Sequence, residues 1–136
     1  MSRGLTAASL MEPNTHNIRV AQFFTTSDGM YNTKQLIMRS NDTTLKKKLG
    51  GPQAYVVKIR AIDPEITTIS GDTKVQVYCN CHDFIYRRAY CLSRDDALLI
   101  SEGFVLTPAE KTNPTCNKKA CKHVSAALQY LITTGR

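Results

Sequence analysis

A chain of 136 residues with 18 Lys or Arg against 11 Asp or Glu carries a formal charge of +7 and has room for one modest domain, not for two independent cores. Its apolar runs, "AYVV" and "ALLI" among them, stop far short of the roughly 18 residues that cross a bilayer, which excludes a helical membrane span. With no Trp and four Phe the core is short of bulk, and five Cys is an odd number that a fully paired disulfide framework would leave with one thiol over.

The opening "MSRGLTAASLMEPN" lacks the continuous apolar centre of a secretory signal, so synthesis in a reducing compartment is expected. Residues 1–33 mix Gly, Thr, Ser and Asn with short apolar pieces such as "IRVAQFF" and hold neither a sustained helical period nor a long strand. They read as an extended or irregular N-terminal arm, with His16 an ordinary polar residue of it. Residues 34–136 form the second unit, a basic β-containing region that merges into the part of the chain richest in Cys and His.

Between Lys34 and Arg60 stand seven cations, Lys34, Arg39, Lys46, Lys47, Lys48, Lys58 and Arg60, against the single acid Asp42. After the breakers Gly50, Gly51 and Pro52, "YVVKIRAI" is β-branched and roughly alternating, which predicts a strand from near Ala54 with Lys58 and Arg60 on one face. Two further strands, Ile66 to Ile69 and Lys74 to Tyr78, are expected on either side of a turn at "SGDT". The second delivers Cys79 and Cys81 at its end, on the same side of the chain, with Asn80 facing away.

Asp83 is placed to cap a helix through "FIYRRAYCL", in which Ile85, Ala89 and Leu92 make a buried stripe, Arg87 and Arg88 lie off its centre and Cys91 is a small buried hydrophobe. "ALLISEGFVLTP" reads as a hairpin turning at Ser101 to Gly103 and ended by Pro108, in competition with a helix starting at Ser93. "TNPTCNKK" is a loop. From Ala120, Val124, Ala127, Leu128 and Leu131 fall on one face of a closing helix, with Cys121 and His123 at or before its first turn.

Two thiols leaving a strand together and, across 39 intervening residues, a thiol and an imidazole entering a helix are the donor set of a tetrahedral structural zinc site. Cys79, Cys81, Cys121 and His123 are the expected ligands of one structural Zn2+, which would tie the hairpin to the last helix and contribute to folding. Disulfide pairing and unligated buried thiols are the competing explanations, and His82 and Cys116 are rival ligands. A mixed thiolate and imidazole set favours zinc over iron.

Four protein ligands leave no open position for a substrate or water, which points away from catalysis. The sequence has no phosphate-binding glycine loop and no HExxH, and nothing marks a substrate pocket beside a Cys and His pair. No catalytic residue and no cofactor besides zinc is expected.

The CxC and CxH pairs resemble the SWIM-type zinc finger, a compact ββα unit. The resemblance covers about Lys74 to Leu131 and implies Cys79, Cys81, Cys121 and His123 as its ligands. The insert here is longer than in the usual members. "CNCHDFIYRRAY", the "ISEG" turn, "TNP" and "CKH" further resemble SWIM-type segments of structural proteins in tailed bacteriophages.

The fold class expected is α+β: a small zinc-stabilised β-hairpin and helix core with an irregular N-terminal arm. The resemblance implies a non-enzymatic virion component of the tail, baseplate or connector, made in the host cytoplasm. Its partners would be other virion structural proteins, and assembly would set its oligomeric state. The alternative is a zinc protein that contacts nucleic-acid phosphates through Lys46, Lys47, Lys48, Lys58 and Arg60, with Arg87 and Arg88 joining them.

Overall fold

In the computed structural model the described residues are 5–11, 18–28, 31–40, 54–81, 92, 97–99 and 120–136. They form an α+β fold in which one helix packs on an antiparallel sheet. The sheet has five strands: β1 (Leu5–Thr6), β2 (Ile18–Asp28), β3 (Tyr31–Ser40), β4 (Ala54–Ala61) and β5 (Lys74–Cys79). Their order across it is β1, β5, β4, β3, β2, and every neighbouring pair is antiparallel. Among the described residues the helices are α1 (Ala7–Leu10) and α2 (Lys122–Thr134).

β4 shows most plainly why these residues make a sheet with one buried face. Val57, Ile59 and Ala61 are buried while Lys58 and Arg60 between them are half-buried, the alternation of a strand covered on one side. β3 follows with Leu36 and Met38 fully buried, and β5 with Val75, Val77 and Cys79. Register ties these into rows, one of which runs Phe23, Leu36, Val57, Cys79 across four strands.

α2 lies along that row. Its 13 residues make a rod about 20 Å long against a row about 14 Å wide, so the helix spans it from end to end. His123 in the first turn stacks on Tyr55 of β4 at a centroid distance of 4.4 Å. Tyr130 near the other end meets Phe23 at 6.0 Å. Between them Val124, Ala127, Leu128 and Leu131 are fully buried, the face expected from their spacing.

The segment expected to be an irregular arm instead supplies sheet. Ile18–Asp28 and Tyr31–Ser40 are the two longest strands and pair as a hairpin. The register shifts between Val20 and Gln22, so the inward positions are Ile18 and Val20 before the bulge and Phe23 after it. One extra residue, Ala21, breaks the two-residue period and hides the strand from a search for alternation. Further upstream, Ala7 and Leu10 are fully buried, the amides of Ala7 and Ala8 donate to the carbonyls of Thr73 and Gly71, and the Leu10 carbonyl accepts from Ala120.

The strand expected at Ile66 to Ile69 does not form. The Asp63 carboxylate accepts from the Glu65 amide and the Asp63 carbonyl from the Ile66 amide, which makes a turn around Pro64. Ile69 enters the core while Ile66 stays 38% exposed, so the two isoleucines do different jobs. Of the hairpin expected from Ala97, residues 97–99 are described: Leu98 makes a parallel bridge to Val77 on the edge of β5. The helix expected from Asp83 lies outside the described residues apart from the buried Leu92.

Candidate metal centre

Cys79 is the last residue of β5, Cys81 follows two places on, and Cys121 is the N-cap of α2 with His123 in its first turn. Their donor atoms all lie within 4.8 Å of one another, and all four residues are buried. Four donors on one tetrahedral zinc stand about 3.5 to 3.8 Å apart, so the cluster is the size that one ion draws together.

β5 positions the first two thiols through its pleat. Cys79 points into the core face opposite Val57, and the intervening Asn80 turns outward. Asn80 then takes over where the strand ends: its side-chain oxygen accepts from the Val56 amide at 2.9 Å, and its own amide donates to the Val56 carbonyl at 3.3 Å. This clamp fixes the chain between the two cysteines.

The surroundings of the sulfurs favour thiolate at specific atoms. The Cys81 amide donates to Cys79 Sγ at 3.4 Å. Cys121 occupies an N-cap position yet makes no side-chain cap, and the first turn of α2 has no acid, so the positive helix end points at the sulfur cluster without another counter-charge there.

Without a cation the arrangement is costly. Burial pushes the Cys79 thiol far up, and the neighbouring Cys121 and Cys81 thiols push it further. Burial also raises Cys121, with Cys81 adding to the rise and Cys79 and the Val124 amide opposing it. Tyr55 is raised by burial first and then by Cys81 and Cys79. His123 Nδ1 is buried with no hydrogen-bond partner, although its residue is only 7% exposed. A buried imidazole nitrogen left unpaired beside three touching thiols is what a bound metal ion would satisfy.

Cys79, Cys81 and Cys121 are in no disulfide. The rivals His82 and Cys116, and Cys91 and His16, lie outside the described residues. So do Lys46, Lys47, Lys48, Arg87 and Arg88 of the expected basic surface. Lys58 and Arg60 share the sheet face turned away from α2, where Arg60 donates to the Gln76 side chain at 2.6 Å. Lys34 goes to the opposite face: it pairs with Ile59, and burial followed by the charge of Arg136 lowers its pKa. The basic segment of the sequence is thus divided between the two sides of the sheet.

Tyr55 and Asn80 shape the centre but carry no spacing signal. Tyr55 is distant in sequence from His123, and only the crossing of α2 over β4 brings their rings together. The chain matches no protein-family model, no curated protein and no solved structure. Its metal cluster is therefore described by its own donor set, as a buried Cys3His group able to hold one ion.

Proposed function

We propose that this chain is a non-enzymatic structural and interaction protein in which one Zn2+, held by Cys79, Cys81, Cys121 and His123, joins the end of the sheet to the closing helix. The observation that carries this is the unpaired, buried His123 Nδ1 within a four-donor cluster. When bound, zinc supplies charge neutralisation and a cross-link. The protein supplies the Cys81 amide, which donates to Cys79 Sγ, and the Tyr55 ring that packs on the imidazole.

A closed four-ligand shell leaves no coordination site for a substrate, which supports architecture as the ion's purpose. The setting we propose is a tailed-bacteriophage particle, as a tail, baseplate or connector component that assembles with other virion proteins. That part rests on the likeness of the "CNCHDFIYRRAY" and "CKH" segments to SWIM-type segments of virion proteins. No described helix is long and apolar enough to cross a membrane.

Elemental mass analysis of the purified chain beside Cys79→Ser and His123→Ala tests the ion. About one zinc per chain is expected in the wild type, absent from both variants together with a large part of the thermal stability. A correctly folded wild type with no metal would overturn the proposal. The virion setting is tested by mass spectrometry of purified particles, where the chain is expected in stoichiometric amount.

A further inference from the structure

We infer that the sheet face turned away from α2 is a binding platform for single-stranded nucleic acid, centred on Phe24, Lys58 and Arg39. The inference goes beyond the structural role above and does not depend on which metal the centre holds.

Register assigns the face row by row. Arg19 pairs with Arg39 and Arg39 with Ala54; Gln22 pairs with Ile37 and Ile37 with Val56; Phe24, Gln35, Lys58 and Tyr78 make the third row; Thr26, Thr33, Arg60 and Gln76 make the fourth, and Asp28 pairs with Tyr31 beyond it. No Asp or Glu occurs in these four rows, while four cations do. The opposite face, packed against α2, is largely apolar and carries Lys34 of the basic segment, so most but not all of the strand cations lie on this side.

The rows divide into a covered end and an open part. Thr33 and Gln76 are buried, and Arg60 is hydrogen-bonded to Gln76, so that end supports the platform from below. Arg19, Gln22 and Phe24 are exposed, and Gln35, Ile37, Arg39 and Lys58 are half-buried. Phe24 is 41% exposed, a large ring left in solvent in a protein with only four Phe, while Phe23 beside it packs on Tyr130. The ladder also sets Arg19 directly opposite Arg39, which brings two positive charges together at that end of the face.

These features select the occupant. Net positive charge across these four rows of the sheet face attracts a polyanion. An acidic peptide would answer the arginines but offers no aromatic surface to Phe24, and a duplex hides its base faces within the stack. A single strand carries both a phosphate and an unstacked base at each step. Base stacking on a sheet aromatic flanked by cations is how sequence-tolerant single-strand platforms work. Arg39 stands four residues along β3 from Gln35, about 13 Å, so a strand crossing the face meets the arginine pair and then the Phe24 and Lys58 row.

The test is fluorescence anisotropy of the full, metal-loaded chain with labelled oligo-dT and oligo-rU of about 20 nucleotides, a duplex of equal length, and polyglutamate, from about 50 to 200 mM salt. Saturable binding to a single strand is expected, tighter than to the duplex, with oligo-dT and oligo-rU separating DNA from RNA as the preferred form. Arg39→Gln and Lys58→Gln are each expected to flatten the slope of log K against log salt by about 0.7. Phe24→Leu keeps the apolar bulk and is expected to weaken binding about fivefold or more with the salt slope unchanged. Arg136→Gln, which makes the same charge change at the end of α2, is expected to leave binding as it was.

Circular dichroism and metal content identify any variant that has not folded, and Phe24→Tyr, which restores an aromatic face, is expected to recover the affinity lost in Phe24→Leu. Absence of single-strand binding at low salt would overturn the inference. So would binding indifferent to Phe24→Leu and Arg39→Gln, tighter binding to the duplex, or preference for polyglutamate, which would make an acidic protein the partner.

Discussion

Asn80 is bound on both of its polar sides to a single residue, Val56, and this sets how the two strand-end thiols are presented. The ladder pairing of β4 and β5 runs as far as Val57 and Cys79, and the Asn80 side chain provides the acceptor that the Val56 amide needs just past that point. Replacing Asn80 by Ala removes one hydrogen bond worth about 1 kcal/mol and frees the link between Cys79 and Cys81, so zinc affinity is expected to fall about fivefold or more. Asn80→Asp, which keeps the acceptor oxygen, is expected to hold most of it. Chelator competition measures both, and equal affinity for wild type and Asn80→Ala would show that the clamp does not position the ligands.

α2 depends on the metal centre at its start and on a glycine at its end. Its N-cap, Cys121, makes no side-chain cap, and three thiolates with one Zn2+ would place a net charge of about −1 against the positive end of the helix. Removing the metal is therefore expected to fray the first turn before the rest: hydrogen exchange at the Ser125 amide, which donates to the Cys121 carbonyl at 3.0 Å, should rise on chelation ahead of that of amides near Leu131. Uniform acceleration along α2 would mean that the centre does not act as its cap. At the other end Gly135 adopts φ 71°, its amide donates to the Ile132 carbonyl, and the Arg136 amide donates to that of Leu131. This left-handed closure sets the Arg136 guanidinium over Phe23 at 5.1 Å and near Tyr130 at 5.8 Å. Gly135→Ala meets no steric contact but is strained at that φ, and a loss of about 1 kcal/mol is expected in denaturant titrations.

At the same scale the elements differ in how far sequence alone reveals them. β4 and β5 keep a clean two-residue period, and α2 keeps its apolar face through Leu131, so both were readable together with the four donors they carry. β2 was not, because Ala21 in its bulge shifts the phase halfway and leaves two short patterns that cancel. β1 and α1 are too short to show any period; they are held by bonds to Thr73, Gly71 and Ala120, partners known only once the chain has folded. Ile66 and Ile69 gave the opposite error, since β-branched residues suggest a strand while Asp63 and Pro64 impose a turn. The division of the cations, Lys34 to one face and Arg39, Lys58 and Arg60 to the other, follows from register, which local composition does not contain.

For the whole molecule, zinc couples folding to pH in a direction that distinguishes the loaded protein from the empty one. In the metal-free fold the Cys79 and Cys121 thiols are raised above their ordinary value, chiefly by burial, so they remain protonated where the unfolded chain has begun to ionise. The unfolded state then binds fewer protons, and the stability of the empty protein is expected to be full below the ordinary thiol pKa of about 8.5 and to decline as pH rises beyond it. The loaded protein behaves in reverse. Its ligands must be deprotonated to hold the ion, so protons compete with zinc as pH falls, and stability is lost toward acid. Zinc binding near neutral pH should accordingly release at least about two protons, from Cys79 and Cys121, measurable by calorimetry in buffers of different ionisation enthalpy. Thermal unfolding of both forms from about pH 6 to pH 9.5 completes the check: opposite slopes are expected for the two, and parallel curves would show that the thiols do not ionise to bind the metal.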